Sequence, residues 1–134
     1  MSDPIRKKGG FGDLVGYELT LWEEHRAEVA LTLDGRHMNR SGFMHGGVLT
    51  TLIDTACGYA GTFTPPGKEP RRAFTLSLDA QFISAAGEGE RLVATALRSG
   101  GGLTIFFSTC RVIGEDGRLV GQGSGTFKYI TRSG

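Results

Sequence analysis

The chain has 134 residues, of which 39% are hydrophobic and 22% charged, and its net charge is +1. This composition predicts one globular domain, residues 1–134, with a core that needs no disulfide or metal. The near-neutral charge offers no basic field for nucleic acid. No apolar run is long enough to span a membrane, and none follows the N-terminus as in a signal peptide. We therefore expect a cytoplasmic protein without nucleic-acid or membrane partners.

The first half of the chain begins with residues 1–14, which lack a clear pattern and are expected to form an N-terminal arm or a short helix. Apolar residues then alternate from Tyr17 to Leu21 and from Val29 to Leu33. This alternation predicts two strands, joined by a hairpin turn near Glu23 to Arg26.

One long helix is predicted next, because apolar residues recur at helical spacing from Val48 to Ala60. Gly61 and the prolines shortly after it end the helix. Cys57 in this helix and Cys110 further along both lie in apolar runs, so we expect two buried free thiols.

Four strands are predicted after the helix, arranged as an antiparallel meander. In the first, every second residue from Phe74 to Phe82 is apolar, which predicts one buried face. In the last, Gly121, Gly123 and Gly125 share a face and leave room for a closely packed element, for which the helix is the obvious candidate. The elements together predict an α+β domain with one helix against one face of the sheet.

The stretch from Asn39 to Gly47 gathers polar groups at the entrance of the helix, where the first N–H groups have no intrahelical partner. Gly46 and Gly47 would leave these donors unobstructed, and the helix dipole adds positive charge. Such a site can hold an oxyanion, for example a polarised thioester carbonyl. The same two glycines could instead serve only to make a tight turn into the helix.

Asp54 lies about two turns further along and is the only charged residue of the helix. A solvated helix face usually carries several charges, so a lone carboxylate among small residues favours close approach by a ligand or a second chain. Because Asp54 need not reach its own Gly46, the stretch predicts two half-sites that dimerisation completes. The small neighbours on this face are Thr50, Thr51, Gly58 and Gly61.

Metal and serine-hydrolase chemistry find little support in the sequence. His25, His37 and His45 share no metal-type spacing with each other or with the cysteines. No nucleophile elbow of the Gly-x-Ser-x-Gly type precedes a helix. We therefore expect no metal and no cofactor.

The spacing of Asn39, Gly42, His45-Gly46-Gly47 and Asp54 resembles that of the hotdog-fold acyl-CoA thioesterases of the phenylacetate-pathway (PaaI-like) family. Weaker likeness in residues 75–82 and 117–127 extends the resemblance over residues 17–129. It implies the hotdog fold, in which an antiparallel sheet wraps a long central helix. It also implies a homodimer with shared active sites, often assembled further into a homotetramer.

The resemblance implies a thioester hydrolase that converts an aryl- or medium-chain acyl-CoA to the free acid and CoA. Asp54 would be the general base or the nucleophile, and the Gly46 N–H would supply the oxyanion hole, with His45 shaping that turn. Asn39 would orient the thioester or the attacking water, and Thr75 would help to hold the water. In that family Asn39 and Gly46 would come from one subunit, with Asp54 and Thr75 from the other.

Contacts to the CoA phosphates are harder to assign. Many relatives carry basic residues in the turn between the fourth and fifth strands, whereas this chain has serine and three glycines at residues 99–102. The candidates for binding the substrate are Gly47, Arg71, Arg72 and Arg98, with Lys68 as a further cation.

Two alternative functions stay open. One is a hotdog hydratase or dehydratase acting on acyl thioesters, although such relatives arrange their histidine and acid differently. The other is a non-catalytic acyl-CoA-binding module, against which the intact set of Asn39, Gly46 and Asp54 argues.

Overall fold

The computed structural model describes residues 8–130, which form two α-helices and one six-stranded antiparallel sheet. Part of the expected N-terminal arm is helix α1, and residues 1–7 lie outside the described range. The helices are α1 (Gly9–Val15) and α2 (Gly46–Ala60), and the strands are β1 (Glu18–Glu23), β2 (Arg26–Thr32), β3 (Ala73–Phe82), β4 (Arg91–Gly101), β5 (Ile105–Ile113) and β6 (Leu119–Tyr129).

Helix α2 lies across one face of the sheet, and its buried side chains form the central part of the hydrophobic core. Its buried residues follow helical spacing, as the periodicity predicts, and the helix ends at Ala60. A long helix against a curved antiparallel sheet is the hotdog architecture that the resemblance implies. No helix within residues 8–130 is both long and apolar enough to cross a membrane. The buried residues of α2 are Leu49, Leu52, Ile53, Ala56, Cys57 and Ala60.

Two of the three glycines of β6, Gly121 and Gly123, lie against α2 as expected, whereas a Cβ on Gly125 would meet Phe127 and Leu78 and not the helix. A Cβ atom on Gly121 would lie 2.5 Å from Leu49 Cδ2, and one on Gly123 would lie 3.1 Å from Ile53 Cγ2. The first of these distances is too short for two carbon atoms, so a side chain at Gly121 would push the helix outwards. The two glycines therefore fix the height of α2 above the sheet.

The strand order is β1-β2-β4-β5-β6-β3, so the predicted four-strand meander is wrong in its first strand. Strands β4, β5 and β6 do follow one another as a meander. Strand β3, however, pairs with β6 at the edge of the sheet. Strand β3 cannot pair with β4, because β2 of the β1–β2 hairpin already occupies that side of β4. All of β2, from Arg26 to Thr32, pairs there.

The prediction that residues 74–82 of β3 share one buried face is also wrong. The register between β3 and β6 shifts at Leu76, which forms a β-bulge. Beyond the bulge Leu78 packs against the core, and before it Thr75 faces α2, whereas Phe74 and Leu76 are each 48% exposed. Phe82 at the end of the strand is 62% exposed. The bulge thus turns Thr75, and not its apolar neighbours, towards the helix.

Both cysteines are buried free thiols, as predicted. Cys57 in α2 and Cys110 in β5 face each other between the helix and the sheet. A hydrogen bond with the Cys110 thiol, together with burial, raises the pKa of Cys57 far above its ordinary value. Cys57 is therefore protonated at neutral pH, and both thiols belong to the core.

Candidate active site

The start of α2 holds one open hydrogen-bond donor. The His45 ring caps the helix, since its Nδ1 accepts the Gly47 N–H at 2.8 Å, and such a cap is worth about 1 kcal/mol. A Cβ on Gly47 would lie 3.0 Å from that nitrogen, so glycine leaves room for the cap. The Val48 N–H bonds to the His45 carbonyl at 2.9 Å. Of these first N–H groups, only that of Gly46 has no partner within residues 8–130.

Asn39 lies in the loop before the helix, and its side-chain oxygen is already in use. Oδ1 accepts the N–H groups of Ser41 at 2.9 Å and Phe43 at 3.1 Å. Gly42 between them has a φ of +83°, a conformation that favours glycine. The exposed Asn39 side chain therefore offers its NH₂ group, a pure donor, to a ligand.

Asp54 lies in the middle of α2 and is oriented by β3. The Thr75 hydroxyl donates to Asp54 Oδ1 at 2.6 Å, a short bond of the charge-assisted kind. The carboxylate is partly buried at the floor of a cleft of about 520 Å³. From α2, the segment just after it and the sheet, the cleft is lined by Asp54, Thr55, Gly58, Tyr59, Thr62, Ala73, Thr75 and Phe127.

The expected small-residue face around Asp54 is present only in part. Gly58 lines the cleft, but Thr50, Thr51 and Gly61 do not, and the hydroxyls of Thr50 and Thr51 donate to carbonyls one turn back, at 3.0 and 2.7 Å. Thr62 also lines the cleft, although it lies beyond the end of α2 at Ala60, so helical spacing could not have placed it there. Phe127 could not be found in this way, because it reaches the cleft through the pairing of β6 with β3.

Two of the predicted phosphate-binding arginines share the cleft with Asp54. Arg71 and Arg72 line its rim, and the Arg71 guanidinium lies 4.0 Å from the centroid of the Tyr129 ring. The main-chain N–H of Arg71 donates to Thr64 Oγ1 at 3.0 Å. Both the backbone and the guanidinium of this arginine are therefore held in place. Arg98 lies in a neighbouring cleft of about 320 Å³, which Arg71 also borders.

The candidate residues thus form two groups in one protomer. We define the Gly46 half-site as Asn39, His45 and Gly46, and the Asp54 half-site as Asp54, Thr75, Arg71 and Arg72. Eight residues of α2 separate Gly46 from Asp54, a distance of roughly 12 Å along the helix axis. Beside Gly46 lies a further cleft of about 310 Å³, lined mainly by the apolar side chains Phe43, Met44, Leu49, Phe82, Ile83 and Val120.

Comparison with known proteins places the chain in a family. Residues 41–121 match the thioesterase superfamily. A Pseudomonas aeruginosa protein named as an esterase is 35% identical over 99 residues, which cover 74% of this chain and 72% of that protein. Mouse acyl-coenzyme A thioesterase 13 is 28% identical over 97 residues, which cover 72% of this chain and 67% of that protein.

Solved structures agree on the fold. The Escherichia coli PaaI protein from the phenylacetic acid degradation operon superposes with a TM-score of 0.82 at 20% identity, covering 94% of this chain and 88% of that one. The segment that matches the thioesterase superfamily, residues 41–121, begins inside the Asn39 loop and contains the whole of α2 with Gly46 and Asp54. The chain therefore belongs to the thioesterase superfamily, has the hotdog fold and is a thioester hydrolase.

Proposed function

We propose that this protein is an acyl-CoA thioesterase whose active sites each combine the Gly46 half-site of one protomer with the Asp54 half-site of another. The separation of the two half-sites along α2 carries this proposal. A thioester carbonyl bound to the Gly46 N–H would lie roughly 12 Å from the same chain's Asp54. A base or nucleophile has to be within about 3 Å of its target, or one water further away.

The exposed edge of β3 supports a dimer of the required geometry. This edge pairs with no strand within residues 8–130, and it exposes Phe74, Leu76 and Phe82. Antiparallel pairing of two β3 strands about a twofold axis would bring the Phe82 end of one opposite the Thr75 end of the other. Phe82 packs beside Gly46, since a Cβ on Gly46 would lie 3.2 Å from its ring. Each Gly46 would then approach the partner subunit's Asp54.

The chemistry follows from the groups that such pairing unites. The Gly46 N–H and the Asn39 NH₂ group would donate to the thioester oxygen and stabilise its charge as the carbonyl is attacked. Asp54, held by Thr75, would either attack the carbonyl carbon or take a proton from the attacking water. Collapse of the intermediate would expel the CoA thiolate. We infer no role for a metal or cofactor in these steps.

Two clefts support the choice of acyl-CoA as substrate. The cleft beside Gly46 is mainly apolar and of a size for an aryl or medium-chain acyl group. Arg71 and Arg72 at the rim of the Asp54 cleft are cations suited to the phosphates of CoA. A substrate bridging the two half-sites would use both.

The direct test is hydrolysis of a panel of aryl-, short- and long-chain acyl-CoAs by the wild type and by Asp54→Asn. We expect kcat to fall by about 10³-fold in the variant, within the range for loss of a general base. The matched control is Asp13→Asn in α1, whose carboxylate is exposed. Near wild-type hydrolysis by Asp54→Asn would contradict the proposal.

The two alternatives have their own signatures. Hydration of crotonyl-CoA faster than hydrolysis of any ester would identify a hydratase. Tight binding of acyl-CoA without product would identify a binding module. Light scattering should show a dimer or a dimer of dimers, and a monomer at assay concentration would contradict shared active sites.

Single turnover in ¹⁸O-labelled water separates the two roles open to Asp54. If Asp54 attacks the thioester and water then opens the anhydride at the Asp54 carbonyl, the single turnover leaves one labelled oxygen in the Asp54 carboxylate, which mass spectrometry of its peptide detects, and the released acid is unlabelled. If Asp54 activates water, the label appears only in the released acid.

A further inference from the structure

His37 is a buried side chain to which the proposed reaction assigns no role. It is 3% exposed, whereas His25 and His45 are exposed. Its Nδ1 accepts the Asp34 N–H at 2.9 Å, and its Nε2 lies 2.7 Å from the Val15 carbonyl oxygen. A carbonyl can only accept, so Nε2 carries the proton and donates it. Nδ1 is thus bonded to the main chain of the same turn, and Nε2 to the main chain of α1.

The main chain of His37 bonds directly to the Gly46 half-site. Its carbonyl accepts the His45 N–H at 2.8 Å, and His45 is the residue whose ring caps α2. One residue further on, Met38 pairs with Met44 as an isolated β-bridge that closes the loop carrying Asn39. His37 therefore forms the base of the loop from which both proposed carbonyl donors, Asn39 and Gly46, extend.

The ring of His37 also connects this loop to α1. Val15 ends α1, while Lys8 and Gly9 at the other end of that helix line the Asp54 cleft. Helix α1 thus borders the Asp54 cleft at its start and bonds at its end to the His37 ring, whose own main chain holds His45 of the Gly46 half-site. Removing the ring would leave the Asp34 N–H and the Val15 carbonyl without these partners in a partly buried setting, and the desolvated part of each group then adds to the cost of the lost bond.

From these contacts we infer that His37 is a positioning residue for the Gly46 half-site: its ring fixes the turn whose carbonyl holds His45, and thereby sets where the Gly46 N–H points. This inference rests on the proposed function, since it concerns the geometry of the proposed oxyanion hole. A displacement of about 1 Å in such a site can cost about 100-fold in rate.

Two variants at position 37 and one control test the inference. His37→Ala removes both ring bonds. His37→Asn can keep the bond from Asp34 N–H, because its Oδ1 occupies nearly the place of Nδ1, but it cannot reach the Val15 carbonyl. His25→Asn is the control: His25 is exposed in the β1–β2 turn with a φ of +68°, a conformation that asparagine tolerates.

The steady-state constants should separate positioning from stability. We expect kcat of His37→Ala to fall about 100-fold, with KM changed less than about threefold. The kcat of His37→Asn should lie within about 10-fold of wild type. The kcat and KM of His25→Asn should match those of wild type. A lower Tm with kcat within about threefold of wild type in both His37 variants would overturn the inference. If His37→Ala does not fold, the partial loss of kcat in His37→Asn carries the test.

A second readout does not depend on activity. In ¹H–¹⁵N spectra of the dimer, His37→Asn should shift the amide signals of His45 and Gly46 more than those of Gly58 and Tyr59 at the other end of α2. Equal or smaller shifts at His45 and Gly46 would overturn the positioning role. If the wild type hydrolyses no acyl-CoA, the proposed function fails, and this spectrum still decides the role of His37.

Discussion

The Thr75 hydroxyl donates a 2.6 Å hydrogen bond to Asp54 Oδ1 and so ties the edge strand β3 to the central helix α2. Only the β-bulge at Leu76 makes this bond possible, because it turns Thr75 to the helix side of the sheet. A threonine on an edge strand thereby sets the direction of the one carboxylate on α2. The orientation of Asp54 is thus a property of the sheet as well as of the helix.

Removing this hydrogen bond should slow hydrolysis without abolishing it. We expect Thr75→Ala to lower kcat roughly 10-fold, since a hydrogen bond to a charged group is worth about 1.5–3 kcal/mol. Thr75→Ser keeps the hydroxyl and should stay close to wild type. Steady-state kinetics of the two variants checks this, and equal losses in both would show that the methyl group, not the hydroxyl, matters.

The Gly46 N–H can be removed without an obvious cost to the helix. Proline is well accepted at the first helical position, and the extended backbone of His45 (φ −64°, ψ 137°) suits a residue before proline. Gly46→Pro should lower kcat about 10²- to 10³-fold, as the loss of an oxyanion-hole donor does. Gly46→Ala is the control, because it meets the same Phe82 ring but keeps the N–H. Equal effects of the two would point to crowding by Phe82.

Mixed dimers should recover activity from two inactive chains. In a heterodimer of Asp54→Asn and Gly46→Pro chains, one site would combine the intact Gly46 of the first chain with the intact Asp54 of the second. We expect about half of the wild-type activity per dimer, because one of two symmetric sites is restored. Co-expression with two affinity tags, followed by tandem purification and assay, measures this. Activity no higher than the sum of the two homodimers would contradict shared sites.

A charge on the free edge of β3 should separate the protomers. Leu76 is 48% exposed there, and lysine on an edge strand opposes pairing with another strand. We expect Leu76→Lys to be monomeric by light scattering and to lose at least about 100-fold of the activity, since each site would lack half of its groups. Leu103→Lys in the β4–β5 turn, where Leu103 is 95% exposed, is the matched control. A fully active Leu76→Lys monomer would rule out sites shared across this edge.

The buried thiols should not react in the folded protein. The raised pKa of Cys57 keeps it protonated at neutral pH, and only the thiolate is an effective nucleophile. We expect a water-soluble disulfide reagent to modify neither Cys57 nor Cys110 in the native state and both after unfolding in guanidinium. Rapid modification of the native protein would show that α2 separates readily from β5.

The sequence predicted the helix and its polar entrance well because both are local. The 3.6-residue periodicity and the breakers after Ala60 locate α2, and the position of Asp54 relative to Gly46 follows from helical geometry alone. The same geometry predicts two separate half-sites on one chain. The close approach of α2 to Gly121 and Gly123 could be inferred because three glycines on one face of a strand call for a neighbour.

The pairing of β3 could not be predicted, because it depends on contacts between distant parts of the chain. Alternation from Phe74 to Phe82 fits a simple one-sided strand, and nothing local marks Leu76 as a bulge. The bulge arises from the register with β6, which also brings Phe127 to the Asp54 cleft. The sequence also could not show which of Arg71 and Arg98 lies beside Asp54. Their clefts are formed by several segments that are far apart in sequence.

The pairing of β3 with β6 also has a consequence for the order of folding. Thr75 in β3 lies opposite Phe127 in β6. Strand β3 can therefore join the sheet only after β6, the last of the described strands, has been synthesised. Contacts this far apart in sequence form slowly, because the intervening loop must close first. While the chain is being synthesised, α2 can form and carry Asp54 early, but the hydroxyl that orients it arrives only when β6 docks. The Asp54 carboxylate is therefore synthesised well before the strand whose docking positions the Thr75 hydroxyl.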